Sequence, residues 1–331
     1  MKITGVILAG GSASRFQSTG SDWKDKLTIE LEGTPLIKRV HQVLSEVVDE
    51  VIISTKNSKR GKLYLEIIDR ERVDTKFVVD DRGSCNGPLL GIASSLNHAA
   101  YDTVLVVPGD TPFLKPTSLK KLVSSLGNNT IVVPVWFDGM VENLIFAGKK
   151  EFVREMSNFL CALGYWGPSG LHRGSPSTLF VDVAKIFEEP RELININYQV
   201  DLEELKPRKH FWEGFDVKIE NEYRGLPKNY DHNMLNEFAD EIINPLLSGV
   251  IYGFLSTRVS REYALKSAKS FDFEVRRYKE LLLLGLMVLA YLDAARYLEL
   301  SGYNFLSKQY RGEAEKINEF LHNKLKRLLL L

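Results

Sequence analysis

Two glycines and an arginine near the amino terminus form the first group of residues that can do chemistry. Gly10 and Gly11 directly follow an apolar run, and Arg15 comes four residues later. Paired glycines let backbone N–H groups approach phosphate oxygens without a Cβ in the way, and a guanidinium can grip phosphate with two N–H groups. The segment lacks the Gly-Lys-Ser/Thr ending of a P-loop. The segment is therefore either a phosphate-binding loop of another kind or an ordinary glycine-rich turn with a solvated arginine.

A lysine and a carboxylate could complete such a phosphate site. Lys26 lies shortly after the glycines and can fold back to neutralise charge that develops on a leaving pyrophosphate. Asp110 ends a later apolar run, and Pro112 and Phe113 follow it. A carboxylate at a strand end is a hard oxygen ligand of the kind that Mg²⁺ prefers. The pattern favours Asp110 as a metal ligand, although a strand-end aspartate can also be structural.

Other polar side chains could recognise a base and an acceptor. Asp81 precedes a Gly87-Pro88-Leu89 segment, and its carboxylate could accept two hydrogen bonds from the N1–H and N2–H₂ edge of guanine. The alternative is that Asp81 only caps a turn. Asn195 and Asn197 are two residues apart, so they share one face of an extended segment. Their amides could bind a ligand or satisfy buried backbone groups.

Short apolar strands alternate with amphipathic helices over the first 200 residues, and this order must position the polar residues above. Continuous apolar runs bounded by turn residues predict buried strands at 5–8, 50–54, 76–79, 103–107 and 130–133. Strands separated by helices pair in parallel, and ligands bind beyond their carboxyl ends. The sequence therefore predicts an α/β fold with a mostly parallel sheet flanked by helices.

The pattern changes near residue 207. Helical periodicity predicts helices at 239–254, 261–270, 271–300 and 311–331, with Gly302 as a stop signal. We therefore expect one α/β domain at 1–207 and an all-α domain at 208–331, which we call the helical extension. The run 281–292 is apolar on every side, as expected for the central helix of a bundle.

Composition excludes several classes of protein. The chain of 331 residues has 43 basic and 43 acidic residues, so the basic excess of a duplex nucleic-acid binder is missing. The apolar run 281–292 is too short to cross about 30 Å of hydrocarbon, so we expect no membrane span. Two cysteines cannot form a disulfide framework or a four-ligand zinc site, and Cys85 is expected to have no role. With no signal peptide in the sequence, we expect a cytoplasmic location.

Four segments in order resemble the molybdenum cofactor guanylyltransferase family, a Rossmann-like nucleotidyltransferase family. They are L-A-G-G-x-x-x-R-F with D-K-L, G-P-L-x-G, P-x-D-x-P-F-L and N-I-N, and they lie within residues 1 to about 205. Two departures are Tyr198-Gln199-Val200, where Thr-Pro-x is usual, and a long segment at 17–23. The resemblance implies that nucleotide-binding residues are Leu8, Ala9, Gly10, Gly11, Ser12, Arg15, Lys26, Asp81, Gly87, Pro88, Leu89 and Asp110. It also implies that Arg15, Lys26 and Asp110 are catalytic, that Asp110 holds Mg²⁺, and that Asn195 and Asn197 bind the acceptor.

The reaction implied by this resemblance transfers GMP from GTP to the terminal phosphate of molybdopterin and releases pyrophosphate. The alternatives are a cytidylyltransferase for the same cofactor, a sugar-phosphate or cobinamide-phosphate nucleotidyltransferase, and a non-catalytic cofactor-binding adaptor. The helical extension has no counterpart in the resemblance. Its terminal leucines, Leu325 and Leu328–Leu331, would be exposed without a partner. They suggest docking of a second copy or of a molybdoenzyme, besides a plain structural role.

Overall fold

The computed structural model describes residues 1–11, 25–68, 72–80, 85–197, 214–227 and 230–328, with side chains to residue 322. Within these ranges, eight strands form one sheet and two short strands form a separate hairpin. The strands in chain order are β1 (Ile3–Ala9), β2 (Glu30–Leu31), β3 (Thr34–Pro35), β4 (Glu50–Thr55), β5 (Asp74–Val79), β6 (Thr103–Pro108), β7 (Ile131–Val135), β8 (Phe146–Lys149), β9 (Ser177–Asp182) and β10 (Val217–Glu220).

The large sheet has the order β10-β9-β7-β8-β6-β1-β4-β5. Strands β5, β4, β1 and β6 pair in parallel, as do β7 and β9, whereas β8 runs antiparallel between β6 and β7. The central strands β4 and β6 are buried along their whole length, which explains why they are continuous apolar runs. The predicted fold class, a mostly parallel sheet flanked by helices and followed by a helical region, is confirmed.

Helices cover both faces of the sheet and form most of the carboxyl-terminal part. Their bounds are α1 (Leu36–Ser45), α2 (Ser58–Ile67), α3 (Gly87–Leu96), α4 (Pro116–Ser125), α5 (Lys150–Ala162), α6 (Ser169–Arg173), α7 (Val183–Ile186), α8 (His232–Glu241), α9 (Pro245–Arg258), α10 (Tyr263–Glu280), α11 (Leu284–Leu300) and α12 (Asn304–Leu328). Helix α1 buries an apolar stripe that includes Leu36, Val40 and Leu44. None of the helices in the described ranges is both long and apolar enough to span a membrane.

Several boundaries differ from those expected from the sequence. The predicted helix 239–254 is divided between α8 and α9 by a break at 242–244, and α12 begins at residue 304 rather than 311. Strand β10 lies beyond residue 207, yet it pairs antiparallel with β9 and forms an edge of the sheet. The predicted helix break at 270/271 is wrong, because α10 continues to Glu280 and the chain turns at 281–283. Leu282 is exposed there with a φ of 56°, while Leu283 is buried. The apolar run 281–292 thus contains a turn, which periodicity cannot detect in a segment without polar residues.

The expectation that Cys85 has no role is also wrong. Cys85 and Cys161, which are 76 positions apart in the sequence, form a disulfide with a Cα–Cα distance of 4.8 Å. The bond joins the segment before α3, two residues from its start, to helix α5, and both side chains are buried. Two cysteines that distant in sequence carry no local signal of pairing, because bonding depends on the packing of α3 against α5.

The helical extension packs directly on the α/β part. One continuous apolar core contains β1, β6 and β7 side chains together with those of α8–α11. A Cβ on Gly139 would collide with the backbone of Leu283 and Leu284, so the turn after β7 touches the start of α11. Arg173 on α6 also forms ion pairs with Glu274 on α10, at 2.6 Å, and with Asp293 on α11, at 2.7 Å. Both apolar and ionic contacts therefore join the two parts.

His172 in this junction makes stability depend on pH. Its ring is fully buried with no hydrogen-bond partner at Nε2 within the described structure, and burial, with a smaller effect of Arg173, lowers its pKa from 6.5 to about 3. Below pH 6.5 the unfolded chain therefore gains a proton that the native state does not. Because of this residue, we expect the free energy of unfolding to fall by about 2 kcal/mol from pH 7 to pH 5.

The measurement is urea denaturation of the wild type and His172→Gln at both pH values. The two proteins should differ in their pH dependence by about this amount, whatever their absolute stabilities. Identical losses of stability on acidification would contradict a buried neutral His172.

Candidate active site

The carboxyl ends of four neighbouring parallel strands meet at one edge of the sheet. Gly10 and Gly11 follow β1, Lys56 follows β4, Asp80 follows β5, and Asp110 follows β6. These residues line a cavity of about 660 Å³, which also takes in the start of α3. A cleft of this size and position can hold a nucleotide-sized ligand.

An acidic side chain lies close to Gly10. A Cβ at this position would collide with the carboxylate of Asp80, whose Oδ1 accepts a hydrogen bond from Ser54 Oγ at 2.6 Å. Asp80 lines the cavity, and sequence reasoning missed it in favour of its neighbour Asp81. The sequence signal for Asp80 was its position directly after β5, which resembles the position of Asp110 two residues after β6.

Lys26, Asp110 and Asn197 come together beside this cavity. Lys26 Nζ lies 2.6 Å from Asp110 Oδ2 and 3.4 Å from Asn197 Oδ1. The side chains of Lys26 and Asp110 are 14% and 20% exposed, so both are sheltered but reachable. A second, smaller cavity of about 70 Å³ is lined by both of them and by Ala9 and Gly11. The arrangement places one cation, one anion and one amide where charged phosphate groups could bind.

A short turn presents Lys26 to the site. Asp25 accepts a hydrogen bond from Leu27 N at 3.1 Å and caps the 3-10 turn Lys26–Thr28. Leu27 is buried, which anchors the turn in the core under β1. Asn197 is held in a similar way, because Ile194 and Ile196 are buried and Ile196 N donates to the Asp110 carbonyl at 3.0 Å.

The predicted loop before α3 lies at the mouth of the cavity. Gly87 has a φ of 72°, a conformation that favours glycine, and Gly87 and Pro88 both line the cavity. Leu89, which was predicted to bind nucleotide, is instead fully buried in the core. Its neighbour Leu90 lines the cavity, because consecutive helical residues point to different faces.

The structure covers only some of the other predicted site residues. Ser12, Arg15 and Asp81, together with the departure Tyr198-Gln199-Val200, lie outside the described residues. Asn195 is described, and its buried Oδ1 has no hydrogen-bond partner in the part of the chain that the structure covers. The contacts of Lys26 and Asp110 include Asn197 and not Asn195.

Comparison with known proteins agrees with this geometry. A family described as "MobA-like NTP transferase domain" matches residues 5–166, which contain Gly10 and Gly11 (the glycine loop), Lys26 and Asp110. Residues 5–166 therefore form a MobA-like NTP transferase domain. A relative from Thermococcus sibiricus, named "Probable molybdenum cofactor guanylyltransferase", is 28% identical over 61% of this chain and 96% of its own length. A Shewanella amazonensis relative, named "Molybdenum cofactor guanylyltransferase", is 27% identical over 62% of this chain and 96% of its own length.

A solved structure with a similar name is molybdopterin-guanine dinucleotide biosynthesis protein A from Archaeoglobus fulgidus. It has a TM-score of 0.49 and 20% identity over 60% of this chain and 95% of its own. From the family match and the relatives' names, the protein is a nucleotidyltransferase of the MobA type.

Removal of the Lys26 ammonium should weaken both nucleotide binding and catalysis. In Lys26→Ala, Asp110 keeps its charge but loses its ion-pair partner, and a bound triphosphate loses one cation. We expect kcat/KM for the nucleotide to fall on the order of 10²-fold, as for the loss of one preorganised electrostatic group. Steady-state kinetics measures the change, and an unchanged kcat/KM would remove Lys26 from the site.

Proposed function

We propose that the protein transfers GMP from GTP to the terminal phosphate of molybdopterin and releases pyrophosphate. The observation that carries this proposal is the meeting of Lys26, Asp110 and Asn197 beside the glycine loop. The relatives named for this activity match about three fifths of the chain, and four of its sequence segments resemble their family.

The proposed chemistry needs charge neutralisation more than proton transfer. A phosphate monoester is already ionised near neutral pH, so its oxygen can attack the α-phosphorus of GTP without a general base. One P–O bond forms, the α–β phosphoanhydride bond breaks, and its electron pair leaves with pyrophosphate. The barrier lies in bringing two polyanions together, so the role of Lys26 is to hold the triphosphate and offset its charge.

A magnesium ion fits the donor set at Asp110. Mg²⁺ in nucleotide sites is bound by one or two carboxylates together with water and phosphate oxygens, and Asp110 supplies a carboxylate with the Asn197 amide oxygen nearby. No cluster of three or more acidic, histidine or cysteine side chains suited to a metal occurs among the described residues. When bound, Mg²⁺ would stabilise negative charge on the transferring phosphoryl group.

Thermal shifts with four nucleotides test the base preference. A ligand that binds only the native state raises its stability by RT ln(1 + [L]/Kd). With Mg²⁺ present, we expect GTP to raise the melting temperature more than CTP, ATP or UTP at the same concentration. Equal shifts for all four would contradict a guanine-specific site, and the largest shift with CTP would favour the cytidylyltransferase.

Pyrophosphate release then separates an enzyme from a binding protein. The protein is mixed with GTP, Mg²⁺ and molybdopterin, and pyrophosphate is followed by a coupled assay. We expect release that requires all three components. Binding of GTP and molybdopterin without release would contradict the proposal and support a cofactor-binding adaptor.

A further inference from the structure

Arg60 on α2 lies buried beneath the glycine loop and contacts two segments that the site needs. Its Nη1 donates a hydrogen bond to the carbonyl oxygen of Gly11 at 2.7 Å. Its Nε and Nη2 donate to the two carboxylate oxygens of Asp25, at 2.7 and 3.1 Å. One guanidinium therefore joins the end of the glycine loop to the residue immediately before Lys26.

Tyr64, one helical turn further along α2, closes this cluster. Its hydroxyl accepts from Arg60 Nη2 at 2.7 Å and donates to Asp25 Oδ2 at 2.8 Å. Burial by itself would lower the pKa of Arg60, but its hydrogen bond and ion pair with Asp25 raise that pKa above its usual value. Burial, and then the Asp25 charge, raise the pKa of Tyr64. The cluster is thus a fixed ion pair with a neutral hydroxyl, held in one geometry.

The contacts lead from Arg60 to the reacting groups in two short steps. Asp25, gripped by Arg60, caps the turn Lys26–Thr28, and Lys26 in that turn reaches Asp110. Gly11, gripped by the same guanidinium, lines both site cavities. Nε, Nη1 and Nη2 each donate to a protein atom, so the guanidinium is held against Gly11 and Asp25 at the wall of the small cavity.

We propose that Arg60 is a positioning residue for the transfer reaction, because its guanidinium sets the distance between the glycine loop and Lys26. This inference rests on the proposed function. Lysine cannot replace arginine here, since a single ammonium lacks the planar fork that binds a carboxylate with two donors and a carbonyl with a third. Misplacement of catalytic groups by about 1 Å can cost on the order of 10²-fold in rate.

The test compares Arg60→Lys and Arg60→Ala with the wild type in the GTP, Mg²⁺ and molybdopterin assay. We expect kcat to fall by at least about tenfold in Arg60→Lys and on the order of 10²-fold in Arg60→Ala, with a smaller change in KM for GTP. The space left in Arg60→Ala adjoins the small cavity. About 20 mM guanidinium should therefore restore at least a tenth of the lost kcat, whereas urea, which is planar but neutral, should not.

Arg173→Lys provides the matched control. Arg173 is also a buried arginine that binds a carboxylate with two donors, but it lies between α6 and α10, away from the candidate active site. We expect this variant to lower the melting temperature without changing kcat or KM. Wild-type kinetics in Arg60→Lys would overturn the inference. The inference would also be overturned if the loss of kcat in Arg60→Ala were fully explained by a smaller fraction of folded protein. Equal restoration of kcat by guanidinium and by urea would overturn it as well. If the wild type itself releases no pyrophosphate, the proposed function is wrong. Wild-type kinetics in Arg60→Lys would instead overturn only the role of Arg60.

Discussion

Asp110→Asn should reduce turnover on the order of 10²-fold or more, with little loss of stability. The substitution keeps the shape of the side chain but removes the charge that pairs with Lys26 and that would hold Mg²⁺. Because Asp110 is partly exposed at the end of β6, its neutral form should be accommodated without repacking. Steady-state kinetics with GTP, Mg²⁺ and molybdopterin measures the effect.

Asp102→Asn is a matched control for this prediction. Asp102 directly precedes β6, at the amino end of the strand that Asp110 follows, and its side chain is fully exposed beside Lys150 at 3.8 Å. Exposed ion pairs contribute at most about 1 kcal/mol, so this variant should keep wild-type turnover. Full activity of Asp110→Asn in Mg²⁺, or an equal loss in both variants, would contradict the assignment of Asp110.

Arg173→Met should destabilise the whole protein by about 3–5 kcal/mol. Arg173 donates to both carboxylate oxygens of Glu274, at 2.8 and 2.6 Å, and to Asp293 Oδ2 and the hydroxyl of Tyr165. Methionine fills part of the space but leaves the buried Glu274 and the partly buried Asp293 without their cation. Burial already raises the pKa of Asp293, although Arg173 opposes this effect. Loss of Arg173 therefore leaves uncompensated charge where solvation is poor.

Urea denaturation monitored by circular dichroism tests this prediction. Arg154→Met is the control, since Arg154 forms a more exposed pair with Glu151 on α5 and should change stability by no more than about 1 kcal/mol. Because Arg173 joins α6 to α10 and α11, its loss should weaken the α/β part and the helical extension together. A loss below about 1 kcal/mol in Arg173→Met would show that the buried pairs contribute little.

Much of the fold could be predicted because its signals are local. Several parallel strands are short apolar runs that end at a turn residue, so the positions of β1, β4, β5, β6 and β7 could be predicted directly. The expectation that all five are buried is wrong for β5, because it lies at the edge of the sheet and none of its residues is fully buried. The parallel strand β9 was not predicted. The same rule placed the glycine loop after β1 and Asp110 after β6 at one sheet edge. The rule also covered Asp80 after β5, but the family resemblance drew attention to Asp81 instead.

The remaining features depend on contacts between distant segments. Arg60 has no distinctive sequence neighbourhood, and its role follows from α2 packing beneath Gly11 and Asp25. Strand β10 is a short edge strand, and its four residues pair with β9 only because the sheet leaves that edge open. The turn at 281–283 lies inside an apolar run, where no polar residue marks a boundary.

By itself, the sequence determined which residues end the strands and therefore which side chains can reach the ligand edge, because strand and turn preferences act over a few residues. Only the tertiary structure decided that Lys26 meets Asp110 and Asn197, 84 and 171 residues away, and that Cys85 bonds to Cys161. Such contacts form when separately folded segments pack together, and the free energy that selects them is spread over the whole core.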